Sequence, residues 1–109
     1  MIITLDLTTV ILAANGEPME GGALTLGALL HFALRTVPQG KQEKPAELRK
    51  RSKLTAQVAN HDFVLWDENT LAEVVAHCEA LFCQGDIQPL LQVYQLTEAA
   101  TAAAAEAAP

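Results

Sequence analysis

Apolar residues recur at helical spacing most clearly in the stretch DENTLAEVVAHCEALF. Leu71, Val74, Val75, Cys78, Leu81 and Phe82 stand there at offsets 0, 3, 4, 7, 10 and 11. That is the stripe of a helix with one buried face. Thr70 followed by Glu73 has the spacing of a capping box, and Asp67 offers another cap one turn earlier. Either start places Asp67, Glu68 and Glu73 near the positive end of the helix dipole. The run Phe63–Trp66 just before it reads as a short strand or extended entry, and the helix ends around Gln84-Gly85-Asp86.

Met1–Leu7 alternates instead, with Ile3, Leu5 and Leu7 on one side and Ile2, Thr4 and Asp6 on the other. This is the period of a half-buried strand. Val10–Ala13 runs into Asn15-Gly16, a type I′ turn signal, and Pro18 and Gly21-Gly22 limit the return arm, so Ile11–Glu20 reads as a small hairpin. Thr25 then caps a helix carrying Leu26, Leu29, Leu30, Ala33, Leu34 and Val37 on one face, stopped by Pro38 and Gly40. Gly27 in its first turn costs up to about 1 kcal/mol against alanine, a cost consistent with close backbone packing. Phe32 lies off the apolar face.

Pro45 opens a third helix that runs to about Ala59. Its apolar face is thin: Leu48, Thr55, Val58 and Ala59, with Leu54 beside them. Such a helix lies on the core's surface and owes its position to its neighbours. Pro89 starts a fourth, with Ile87, Leu90, Leu91 and Tyr94 on one face and Val93 and Leu96 extending it. From Thr97 on the chain is TEAATAAAAEAAP. Alanine favours helix but has little to bury, so this end is expected to fray. The expected architecture is α+β, mostly α: four helices around one small core with an N-terminal strand and hairpin. Residues 1–98 form a single domain, and 99–109 an alanine-rich tail, frayed or disordered.

Charge changes this picture. The formal balance of −6 hides an asymmetry. Lys41–Lys53 holds six cations (Lys41, Lys44, Arg49, Lys50, Arg51, Lys53) and two acids, a net +4; the rest sets Arg35 against eleven acids, a net −10. An acidic body repels phosphate and disfavours general nucleic-acid binding, while a local basic patch can meet an acidic partner or another copy. No apolar stretch reaches the ~18 residues of a membrane span. MIITLDLTT has no basic leader, and two cysteines make no disulfide scaffold, so an intracellular, reduced protein is expected.

Candidate chemistry is thin. Cys78 and Cys83 diverge by about 140° on a helix, five steps of ~100°, so with His77 they lack the ligand pairing of a structural zinc site. Cys78 belongs to the buried stripe, where free cysteine behaves as a small hydrophobe. Cys83 sits near a helix C-terminus, which disfavours a thiolate. No nucleophile elbow, phosphate loop or dinucleotide fingerprint is present. No catalytic residue, cofactor or metal is therefore expected. Phe32 and Trp66 would mark an interface if both were exposed. The basic run KQEKPAELRKRSK is the most unusual feature: Arg49 and Lys53 share a face at i, i+4, with Lys50 and Arg51 spread to the sides. No aromatic residue interleaves it.

In order, a leader strand, the NGEP turn, LTLGALLHFAL, a basic helix, VLWDENTLAEVVAHC and the closing PLLQVYQLTE give the chain a recognisable plan. It resembles a group of small phage and prophage proteins of unknown function. The resemblance covers most of Met1–Glu98 and implies a small phage-encoded, non-enzymatic accessory protein, serving virion morphogenesis or acting on a host protein. It carries over no active residue. On this reading Lys44, Arg49, Lys50, Arg51 and Lys53 are the partner-binding charges. The partner is a protein, from host or phage, with self-association as one form, and the location is the host cytoplasm or the virion. The rival is a nucleic-acid-binding regulator using the basic helix 45–59.

Overall fold

The computed structural model describes residues 1–38 and 40–107. Two strands, β1 (Ile2–Asp6) and β2 (Phe63–Asp67), and four helices, α1 (Leu26–Leu34), α2 (Pro45–Ala59), α3 (Glu68–Phe82) and α4 (Gln88–Ala107), make up the fold. It is α+β and mostly α, as the hydrophobic pattern predicts.

The strands pair antiparallel, with Ile3 opposite Trp66 and Leu5 opposite Val64. Because side chains alternate along a strand, those four residues share the inner face, and all are at least 95% buried. The outer face carries Ile2, Thr4, Phe63 and Leu65 and stays open. α3 packs between α1 and α4, α2 lies against α1, and α4 runs along β1. One cluster joins these layers, with Leu30, Ala33, Ile11, Cys78 and Val93 at its dry centre.

Local signals explain most boundaries. The Thr25 hydroxyl accepts from the Ala28 N–H at 3.2 Å and caps α1. Gly27 follows because a Cβ there would meet the Leu7 Cβ and carbonyl oxygen, each at 3.1 Å. The bare backbone instead donates its N–H to that Leu7 carbonyl at 2.9 Å. Of the two candidate caps on α3, Asp67 is used: its carboxylate accepts from the Thr70 N–H at 2.7 Å. That bond holds the Asp67 pKa below the usual carboxylate range. Its stabilisation is therefore present at neutral pH and is lost as pH falls through the lowered pKa.

Three expectations change. The hairpin over Ile11–Glu20 reduces to one bridge, Leu12 with Pro18, flanked by the Ala13 N–H to the Glu17 carbonyl and the Met19 N–H to the Ile11 carbonyl. A second bridge, Val10 with Thr25, joins its base to the start of α1. Gly16 alone in its turn takes positive φ, 85°, so the turn is not type I′. Asn15 accepts from the Glu17 N–H instead. The loop docks on α4, where the Gln92 side-chain oxygen accepts from the Leu12 N–H and Gln88 donates to the Leu12 carbonyl. Val37 lies beyond the end of α1 and is 43% exposed.

The third change is at the alanine-rich end, which stays helical to Ala107. Ala100 and Ala104 pack on the core beside β1, and the Thr101 hydroxyl donates to the Thr97 carbonyl at 2.8 Å. Small residues do bury surface here, because α4 continues past the strand rather than into solvent. Residues 108 and 109 of the expected tail lie outside the described residues.

Candidate functional surface

The basic helix α2 is the centre of interest, and the cations on it and in the segment leading to it divide into three kinds. Arg51 turns inward, correcting its assignment to the docking surface: its side chain is 12% exposed and pairs with Glu43, itself 6% exposed. The guanidinium also donates through Nη1 to the carbonyls of Thr36 at 3.1 Å and Leu34 at 3.4 Å. These carbonyls lie where α1 ends, and helix ends leave such acceptors unpaired.

His77 reaches the same end of α1 from α3 and shares the Thr36 carbonyl with Arg51. Its Nε2–H donates to the oxygens of Ala33 at 2.7 Å and Thr36 at 2.9 Å. Its ring nitrogen and Arg51 Nη1 lie 3.1 Å apart because both converge on Thr36. The network thus ties α2, α3 and Glu43, in the segment leading to α2, to the C-terminus of α1.

Lys50 is of the second kind. It pairs with Glu73 of α3 at 2.6 Å, both side chains more than half exposed, and exposed pairs of this sort contribute about 0–1 kcal/mol. Lys41, Lys44, Arg49 and Lys53 are the third kind, exposed and without a salt-bridge partner among the described residues. Leu48, 44% exposed, lies beside them on the same helix.

Arg51 could have been separated from the rest beforehand. With Leu54, Thr55 and Val58 it stands at offsets 0, 3, 4 and 7, on the stripe that faces the core. Its partner Glu43 lies before the helix starts, where no periodicity applies.

A cavity of about 380 Å³ opens between α2 and α3, lined by Glu43, Lys50, Arg51, Glu73 and His77 over Leu54 and Val74. Four of its charges pair with one another and its histidine is bound to α1, so these groups serve the fold; Lys41 and Glu47 complete the lining. On the other flank of α3, α3 and α4 border a broader, open groove of about 640 Å³. It has an apolar floor and three glutamates at its margin. Among the described residues no three histidine, cysteine or acidic side chains come together as metal ligands.

The cysteines behave as different groups. Cys78 is fully buried in the α3 stripe, and burial pushes its thiol up to about 12. Cys83 is exposed. Titration with a thiol reagent should therefore modify one cysteine in the native protein and the second only on unfolding. Two fast equivalents would mean that α3 opens readily. Trp66 is not an interface residue: it is 4% exposed and its indole N–H donates to Gln57 at 2.7 Å. Phe32 is half exposed and stacks on Phe82, ring centroids 6.5 Å apart.

These features define a small, mostly helical α+β protein with one basic helix held on an acidic body. Comparison with family models, with curated proteins and with solved structures finds no match. Among the described residues no helix is long and apolar enough to cross a membrane.

Proposed function

We propose that this is a small non-enzymatic accessory protein, phage-like in plan, that acts by binding another protein through the outward face of α2. Virion morphogenesis and the modulation of a host protein in the host cytoplasm are the two settings in which such a module would serve. The observation that carries the reading is how α2 is held. Of its fifteen residues only Leu54 and Val58 are buried apolar anchors, and the inward-facing Arg51 adds the polar tie. Arg49 and Lys53, one turn apart, are left to solvent with Lys44 and Leu48 nearby. Free cations on the outward face, with an exposed leucine on the adjoining side, suit an acidic protein surface, where charge steers the encounter and the apolar contact holds it. Lys50 and Arg51, already engaged with Glu73 and Glu43, belong to the scaffold in this reading.

Affinity capture from host lysate, with and without nuclease, tests it. The wild type should retain an acidic protein whether or not nuclease is added. The Lys44→Glu/Arg49→Glu/Lys53→Glu variant should lose it while keeping the wild-type circular dichroism. Capture of nucleic acid, weakening steeply with salt, would instead establish the regulator reading. Capture unaffected by the triple substitution would remove α2 from the interface.

A further inference from the structure

We infer that the α3–α4 groove is the docking site for the basic helix α2 of a second copy of this chain. The inference rests on the reading of α2 as an interaction helix and names one partner for it. The groove is a broad, shallow depression of about 640 Å³, open along its length to solvent. Leu71, Val75 and Thr101 are among its lining residues, and Glu68, Glu79 and Glu98 supply its charge. Neither α3 nor α4 contains a lysine or arginine. Glu68 faces the N-terminal ammonium of Met1 at 4.0 Å, which leaves Glu79 and Glu98 without a cationic partner among the described residues. The Tyr94 hydroxyl donates to Glu79 at 2.7 Å.

The complementary surface is on the same chain. The outward face of α2 offers Arg49 and Lys53, cations without salt-bridge partners among the described residues, with Lys44 at the start of the helix and the half-exposed Leu48 on the adjoining side toward Thr55. A helix laid in a groove by one apolar anchor and flanking charges is a recurrent mode of recognition. The net +4 of the basic segment against the net −10 elsewhere means that two copies attract only where this segment of one meets the acidic surface of the other.

The groove cannot be filled from within. The copy's own α2 sits on the flank of α3 that carries Glu73 and His77, whereas the groove opens on the flank carrying Ala72, Val75 and Glu79. The helix of one molecule therefore meets the groove of another. The contact joins two different patches, and each molecule offers both halves.

Sedimentation velocity over a wide concentration range tests this with two variants at exposed positions. Arg49→Glu/Lys53→Glu disables the helix face, and Ala102→Trp fills the groove; each should keep the wild-type unfolding transition. The wild type should self-associate, and less so at high salt, where the Debye length shortens to about 3 Å at 1 M. Each variant alone should weaken association by about tenfold or more. An equimolar mixture of the two should recover a complex, because the intact groove of the first accepts the intact helix of the second.

A wild type that stays monomeric overturns the inference. So does self-association that neither variant affects, as pairing through the open outer sheet face would give. So does a mixture that fails to recover. A monomeric wild type that still captures a protein through Arg49 and Lys53 would overturn the self-docking alone. Self-association that follows the complementation pattern, with no other protein captured, would leave the groove as the only partner of α2.

Discussion

Replacing Arg51 by alanine should cost about 3–5 kcal/mol, the range for breaking a buried ion pair by removing one partner. Arg49→Ala, two residues away on the same helix, should stay within about 0.5 kcal/mol. The difference comes from surroundings. Arg49 is exposed, whereas loss of the Arg51 guanidinium strands the buried Glu43 carboxylate and removes a donor from the Leu34 and Thr36 carbonyls. His77 keeps its bonds to Ala33 and Thr36, so the end of α1 is loosened rather than bare.

Lysine should not rescue the position. A single ammonium cannot reproduce the fork that reaches a carboxylate and two carbonyls together. Glu43→Ala combined with Arg51→Ala should be less damaging than the sum of the two, with a coupling of about 1–3 kcal/mol. Urea unfolding followed by circular dichroism measures all of these. An Arg51→Ala protein as stable as Arg49→Ala would mean that the network contributes nothing and that the two arginines are equivalent surface charges.

Trp66→Ala should be of similar size, about 3–5 kcal/mol for a buried aromatic truncated to alanine. Set against a whole-domain stability of about 5–15 kcal/mol, that leaves a marginal fold. Trp66 lies on the inner face of β2 opposite Ile3, and the cavity left behind would open where the two strands meet the helices. Trp66→Phe should cost much less, because the exposed Gln57 that accepts from the indole can return to water. If alanine and phenylalanine proved equally mild, Trp66 would be peripheral to the core despite its burial. The measurement is the urea midpoint of each variant, read by circular dichroism because the only tryptophan is the residue changed.

Neither prediction could be read fully along the chain. Trp66 stands in an apolar run directly before a capped helix, but all four residues Phe63–Trp66 are apolar, so the run marks a strand without saying which face is buried. Pairing with β1 turned Val64 and Trp66 inward. Arg51 looks like one more cation in a basic run until its offsets from Leu54, Thr55 and Val58 are counted. Even then its partners are out of reach. Glu43 precedes the helix, His77 comes from another helix altogether, and the carbonyls belong to residues of every type.

Periodicity and capping chemistry by themselves determined the elements and the buried faces of the leading strand, of α1 from its Thr25 cap and of the α3 stripe. These depend on neighbours within one or two turns, so they can be read along the chain. The proline fixed the start of α2, but its buried side is Leu54 and Val58 with Leu48 left exposed. Likewise α4 buries Leu90, Val93 and Thr97, while Leu91 and the preceding Ile87 stay exposed. Tertiary structure alone decided the rest. It paired the first strand with Phe63–Asp67, chose Asp67 over Thr70 as the cap, and carried α4 through Ala107 by giving its alanines a strand to lie against. It also separated the basic run into a buried Arg51, a paired Lys50 and cations left to solvent. The physical reason is common to all four. Which charge is desolvated and which carbonyl is reached depends on distances between residues far apart in sequence, and a one-dimensional pattern carries the period of a helix but not the identity of what packs against it.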